Sequence, residues 1–416
     1  MDTEVSKKLG KSVLWNTVGA LFFLVCQWLI TVLVVRFSDD YTNAGILSLA
    51  MSVTNIFAII ALFNVRNYQV SDTEERFSAS DYVSHRIVTC LAALILCIAV
   101  ALIGGYPPVT AVCIIAYMVL KLTENFADVF HGIAQKRWRL DIVGISFIIR
   151  GTLIVGVFTV AFLLTKNLAV TLSLMAVSNV LALLLYDFNK IRKLERLSLK
   201  IDKEKIFSLS KICLPMVGYG LCIHSIMPLA KCILEAYHGE EALGYYGSVT
   251  TVATLIQAFS IMIFTPLIGV FTEHYRDGDR RALVKLILKL LVMILAITAL
   301  ASLATALLGE WAMVLVFGEE IRDYVYLLYP TIVASSLTAF VWLMGMLLVV
   351  MRAMKTLLIG SLAGLAVSVA LSFALIPGTV YTGTNIALIV GFSVITLIYL
   401  LRFAVYVAAP ATMEKD

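Results

Sequence analysis

Four residues in one apolar stretch of this chain could act together: Lys121, Glu124, Asp128 and His131. Their spacings of three, four and three place all four on one helical face, within roughly an 80° arc. The opposite face carries Val119, Leu122, Phe126 and Phe130. Such a stripe suits a helix lining an aqueous vestibule. It also suits a neutralised ladder, Lys121 with Glu124 and Asp128 with His131, that only joins helices. A carboxylate in a partly dehydrated vestibule takes up a proton or ligates Na⁺. Asp128, Glu124 and His131 are therefore candidates for ion coupling. Asp128 is the preferred one, because Glu124 lies nearer Lys121.

The next apolar stretch holds Arg150, about nine residues in from its basic end and followed by Gly151. A guanidinium stays charged and matches phosphate geometry with two parallel donors. Arg150 is thus a candidate anion ligand. The alternative is a buried structural pair with Glu124 or Asp128. Lys231 sits near the far end of the seventh apolar stretch with Glu235 four residues on, in the less favourable order for a helical pair. It either contacts a ligand or snorkels to the membrane interface. No histidine or cysteine spacing fits a metal site. The chain has no HExxH, no GK[ST] phosphate loop and no nucleophile elbow.

These residues need elements to hold them, and composition says which. Of 416 residues, 61% are apolar and 14% charged. Soluble domains average roughly 45–50% apolar and about 25% charged. A soluble enzyme, a nucleic-acid-binding domain and a disordered chain are excluded. The seven cysteines all fall in apolar runs, without a CxxC pair, and read as small core hydrophobes.

Twelve segments are long enough to cross a bilayer as helices, at 12–35, 44–63, 84–105, 109–131, 142–164, 168–187, 207–232, 245–272, 284–308, 326–350, 355–376 and 385–408. With both termini cytoplasmic, 26 of the 32 Lys and Arg fall on the cytoplasmic side, Arg66 and Arg86 among them. Arg36, Lys166 and Arg322 fall outside, and Lys121, Arg150 and Lys231 within spans. That asymmetry orients the chain. The fold class expected is all-α and polytopic, with two six-helix lobes around a central cavity. The lobes span 1–189 and 207–416, joined by a basic cytoplasmic linker at 190–206. Pro215 and Pro228, flanking Gly218 and Gly220, predict a broken or bent seventh helix.

The end of span 2 reads NVRNYQVSD, from Asn64 to Asp72. It resembles the signature after the second helix of Wzx-type polysaccharide and O-antigen flippases, in the multidrug/oligosaccharidyl-lipid/polysaccharide exporter superfamily. Leu243-Gly-Tyr-Tyr246 is similar to that family's LGxY entry into span 8. Phe317-Gly318 with Tyr324 to Tyr329 is similar to its entry into span 10. The resemblance implies alternating access without enzyme activity or a cofactor beyond H⁺ or Na⁺. The implied substrate is an undecaprenyl-pyrophosphate-linked oligosaccharide, moved to the outer leaflet of a bacterial cytoplasmic membrane for O-antigen or capsule assembly. Arg150, Lys121 and Arg66, with Lys231, would bind it. The implied partners are the lipid-linked oligosaccharide, the bilayer and polysaccharide polymerase machinery, with no nucleic acid. The other reading is a cation-coupled small-molecule exporter of the same superfamily. Against it, span 1 offers Asn16 and Gln27 but no carboxylate.

Overall fold

The computed structural model describes residues 3–72, 74–198, 202–264 and 267–408. Among them there is no strand. Eleven helices among the described residues are long and apolar enough to span a membrane, the 50-residue stretch Lys203–Val252 being counted once. Their outer faces are apolar: Ile103, Leu164 and Leu307 are 84%, 80% and 72% exposed. Such surfaces are stable against lipid and not against water.

The chain divides into two compact units, Met1–His224 and Ser225–Asp416. The first is built from α1 (Thr3–Phe37), α2 (Thr42–Leu62), α3 (Val65–Ser71), α4 (Ala79–Ile103), α5 (Pro108–Lys136), α6 (Leu140–Thr165), α7 (Leu168–Ala182) and α8 (Asn189–Leu194). It also holds the start of α9 (Lys203–Phe264). The second unit holds the rest of α9, then α10 (Leu267–Arg276), α11 (Arg280–Phe317), α12 (Leu328–Val350), α13 (Met354–Thr379) and α14 (Tyr381–Ala408).

Local chemistry sets these boundaries. A Ser78/Asp81 capping box starts α4 at Ala79, five residues earlier than the sequence predicts. That shift carries Arg86 two turns into the helix. Span 2 is broken where Phe63 and Asn64 both take left-handed backbone, at φ 46° and 53°. Span 6 continues from α7 through a π-helical turn, Leu183–Phe188, into α8. The seventh helix is not broken between its prolines. Gly239 (φ 82°, ψ 176°) is the point in α9 where helical geometry fails. Helical backbone geometry continues through Pro215 and Pro228 within α9, although neither proline has an N–H to donate. The eighth predicted span runs from α9 into α10, and residues 265–266 between them lie outside the described residues.

Small residues set the helix packing, as they do between helices in lipid. α1 packs chiefly on α6. They cross at Gly19 and Gly144, where a Cβ on Gly19 would strike the Gly144 carbonyl oxygen. In the second unit α13 packs on α14 at Gly364 and Gly391.

Candidate functional site

Around α5 the charged side chains of the first unit's spans form two clusters and one separate pair. The first cluster forms at the α2 break. There the Ala61 carbonyl, whose helical partner would lie beyond Phe63 and Asn64, is met by side chains. Asn125 Nδ2 donates to Ala58 O at 3.3 Å, and Arg86 Nη1 and Thr89 Oγ1 donate to Ala61 O at 2.7 and 2.8 Å. Arg86 is fully buried, and its Nη2 lies 3.0 Å from Asp128 Oδ2. The break also redirects α3. Arg66 Nη1 reaches Asp128 Oδ1 at 3.0 Å, and its Nη2 donates to Gln135 Oε1 at 3.0 Å. One carboxylate therefore sits between two guanidiniums. The Arg66 and Asp128 side chains remain 28% and 21% exposed.

The second cluster is dry. Arg150, 1% exposed, donates from Nη2 to Asp187 Oδ2 at 2.8 Å and from Nη1 to Thr123 Oγ1 at 3.2 Å. The π-helical turn carries Asp187. π turns recur at functional positions in helices. His131 Nε2 lies 3.2 Å from Ser146 Oγ and 3.8 Å from Asp187 Oδ1.

The separate pair is Lys121 with Glu124, at 2.8 Å. Gln27 Nε2, from α1, donates to the same carboxylate at 3.2 Å. The four-residue stripe is thus divided among three neighbourhoods. Lys121 and Glu124 form one, Asp128 joins the two arginines of α3 and α4, and His131 joins Arg150 and Asp187. Asp128 and His131 do not pair with each other as the ladder reading required. Nor does Arg150 pair with Glu124 or Asp128; its partner is Asp187. Lys231, on α9 in the second unit, is half-buried and has no ion-pair partner among the described residues.

Arg86 and Asp187 were missed by sequence reasoning, which placed both at span ends. The capping box ahead of Arg86 was the available signal. Nothing in the sequence marks the π turn that carries Asp187. The NVRNYQVSD segment has a place for most of its polar residues. Asn64 supplies the left-handed turn and Arg66 the ion pair. Gln69 donates to Val129 O at 3.3 Å. The Asp72 carboxylate accepts from the Tyr82 hydroxyl and the Arg76 and Phe77 amides.

No protein-family model matches the chain. The capsular polysaccharide biosynthesis protein CapF of Staphylococcus aureus is 23% identical over 307 residues, covering 73% of this chain and 76% of that protein. Among solved structures, the lipid II flippase MurJ in an inward closed conformation matches with a TM-score of 0.72 at 11% identity. That match covers 93% of this chain and 87% of the other. An inward-facing multidrug resistance MATE family transporter of the MOP superfamily matches with a TM-score of 0.66 at 13% identity, over 96% of both chains. These neighbours are transporters and flippases. The chain is therefore a multi-pass membrane protein with the fold that MATE transporters of the MOP superfamily share with the lipid II flippase.

Proposed function

We propose that the chain is a flippase that carries an undecaprenyl-pyrophosphate-linked oligosaccharide from the cytoplasmic to the outer leaflet, by alternating access, for surface polysaccharide assembly. The observation that carries this reading is the Arg66–Asp128–Arg86 cluster. Two cations share one anion, so a net positive charge remains at the partly exposed Arg66. Across the first unit Arg66, Arg86, Lys121 and Arg150 face only Glu124, Asp128 and Asp187. Arg66 lies at the cytoplasmic end of span 2, level with the leaflet whose headgroups the substrate would leave, and shares its one carboxylate with Arg86. A pyrophosphate supplies the missing anion, and the guanidinium fork matches it. The fold it shares with a lipid II flippase and its likeness to a capsule biosynthesis protein support the same substrate class.

In this reading Arg66 contacts the pyrophosphate first and Lys121 assists. Lys231 is proposed as a separate contact in the second unit. Arg150, tied to Asp187, holds the helices that present the site. Coupling to H⁺ or Na⁺ is assigned to Glu124, which faces one cation, in preference to Asp128, which faces two. His131, in the separate Arg150–Asp187 cluster, is proposed as a second proton-taking group. The protein is placed in a bacterial cytoplasmic membrane with both termini inside.

Reconstitution into liposomes tests the proposal. Undecaprenyl-pyrophosphate-linked glycan is supplied in one leaflet, and its appearance in the other is followed with H⁺ or Na⁺ gradients imposed. The wild type should move the lipid and Arg66→Gln should not. Movement of cationic dyes without movement of the lipid would favour a multidrug-type exporter.

A further inference from the structure

Where α5 turns into α6, a cavity of about 660 Å³ opens beside the arginine cluster. Small-molecule sites span roughly 300–1,000 Å³. One side chain joins the cavity to the cluster. Gln135 lines the cavity and accepts the Arg66 hydrogen bond. The cavity's cations are already engaged. Arg137 pairs with Glu195 at 2.6 Å, and Lys136 Nζ donates to the Asp72 carbonyl at 2.8 Å. Asp72, Glu75 and Glu195 outnumber Lys136 and Arg137 on the walls. Such a lining repels a phosphate and admits a neutral polar ligand.

Two further features specify that ligand. Gln69, which lines the cavity, is 1% exposed, and its Oε1 has no hydrogen-bond partner among the described residues. It packs over Gly132, where the missing Cβ leaves it room, and keeps acceptor capacity for a donor such as a hydroxyl. Trp138, also on the wall, is 69% exposed. An indole face beside carboxamides and carboxylates matches a sugar ring, which is apolar on its faces and rich in hydroxyls at its rim.

The backbone of Trp138 is unusual. α5 ends in a Schellman motif, with Arg139 N bonded to Ala134 O at 2.9 Å and Trp138 N to Gln135 O at 3.0 Å. Trp138 occupies the left-handed position of that motif at φ 56°, where glycine is usual. A bulky residue is uncommon there, although Arg352 takes the same place at the end of α12, at φ 54°.

We propose that this cavity binds the first sugar of the lipid-linked glycan, with Trp138 stacked on the ring and Gln69 and Gln135 taking its hydroxyls. The proposal rests on the flippase reading and adds the position of the sugar relative to the pyrophosphate on Arg66. Trp138→Gly tests it cleanly, because it removes the indole while relieving the backbone. Wild type and variant in nanodiscs are titrated with undecaprenyl pyrophosphate, bare or carrying one hexose or N-acetylhexosamine. The wild type should bind a sugar-bearing lipid roughly five- to ten-fold more tightly than the bare one. Trp138→Gly should lose that gap and keep the affinity for the bare lipid. A wild type without preference, a variant that keeps the full preference, or equal weakening for both lipids overturns the sugar site and leaves the flippase reading standing. Binding of neither lipid by the wild type overturns both.

Discussion

Arg86 Nη2 lies 3.0 Å from Asp128 Oδ2, and no other carboxylate among the described residues pairs with this fully buried guanidinium. Asp128 therefore has a structural duty that its place on the α5 stripe does not reveal. Removing one partner of a buried pair costs about 3–5 kcal/mol, because the other charge is stranded. Asp128→Asn should lower folded yield and the melting temperature in detergent. Arg66→Gln should do neither, since the Arg66 side chain is 28% exposed, yet it should abolish lipid movement. Thermal melts and liposome transport on the same preparations check both outcomes. Wild-type stability in Asp128→Asn would remove the structural assignment.

Arg150 and Asp187 form the second buried pair, 1% and 2% exposed. Arg150→Ala strands Asp187 and should cost about 3–5 kcal/mol. Arg150→Ala with Asp187→Ala removes both charges and should recover most of the folded yield. Lipid movement by the double variant then reads the role of Arg150. Substantial transport makes it a scaffold residue. A folded but inactive double variant makes it a substrate ligand.

Asp72 lies between spans, so its titration bears on stability in water. Burial raises its carboxyl, but hydrogen bonds from Tyr82, Phe77 and Arg76 and the charge of Lys136 outweigh burial and hold it below the ordinary value of 3.8. The folded pKa is the lower one. The stabilisation is therefore complete above the unfolded value and is lost as pH falls through the folded one. Between pH 5 and pH 2 the wild-type melting temperature should fall more steeply than that of Asp72→Asn. Parallel slopes would show that Asp72 contributes nothing over this range.

Orientation is open to direct measurement. A membrane-impermeant maleimide should label Lys166→Cys and Tyr237→Cys on intact cells and leave Ser198→Cys untouched until the membrane is opened. All three positions are exposed. Labelling of Ser198→Cys from outside would invert the topology and detach the arginine cluster from the cytoplasmic leaflet.

Span order and most boundaries were legible in the sequence because lipid imposes length and apolarity on every crossing; twelve predicted spans meet eleven long apolar helices because the seventh and the start of the eighth share α9. The α5 stripe was legible too, because helical periodicity fixes which side chains share a face. Periodicity does not say which helix each part of that face meets. Thr123 and His131 meet α6 and the π turn, Glu124 meets α1, and Asp128 meets α3 and α4. Arg86 reads as a loop cation only when α4 is started at its first apolar run. Starting it from the Ser78/Asp81 box would have moved Arg86 inside. Asp187 depends on one extra residue in a helical turn, which hydropathy cannot register.

The Gly19–Gly144 crossing bears on how the protein is made. The two helices meet backbone to backbone, but α2, α4 and α5 are synthesised between them. Until Gly144 leaves the ribosome, α1 has no such surface to lie against. Its Gln27 also lacks Glu124 until α5 is made. The first helix must therefore wait in the lipid, or against the insertion machinery, with polar groups uncovered. Docking of the sixth span is then the step that fixes the first, and a nascent chain stopped before α6 should be the form that quality-control proteases remove.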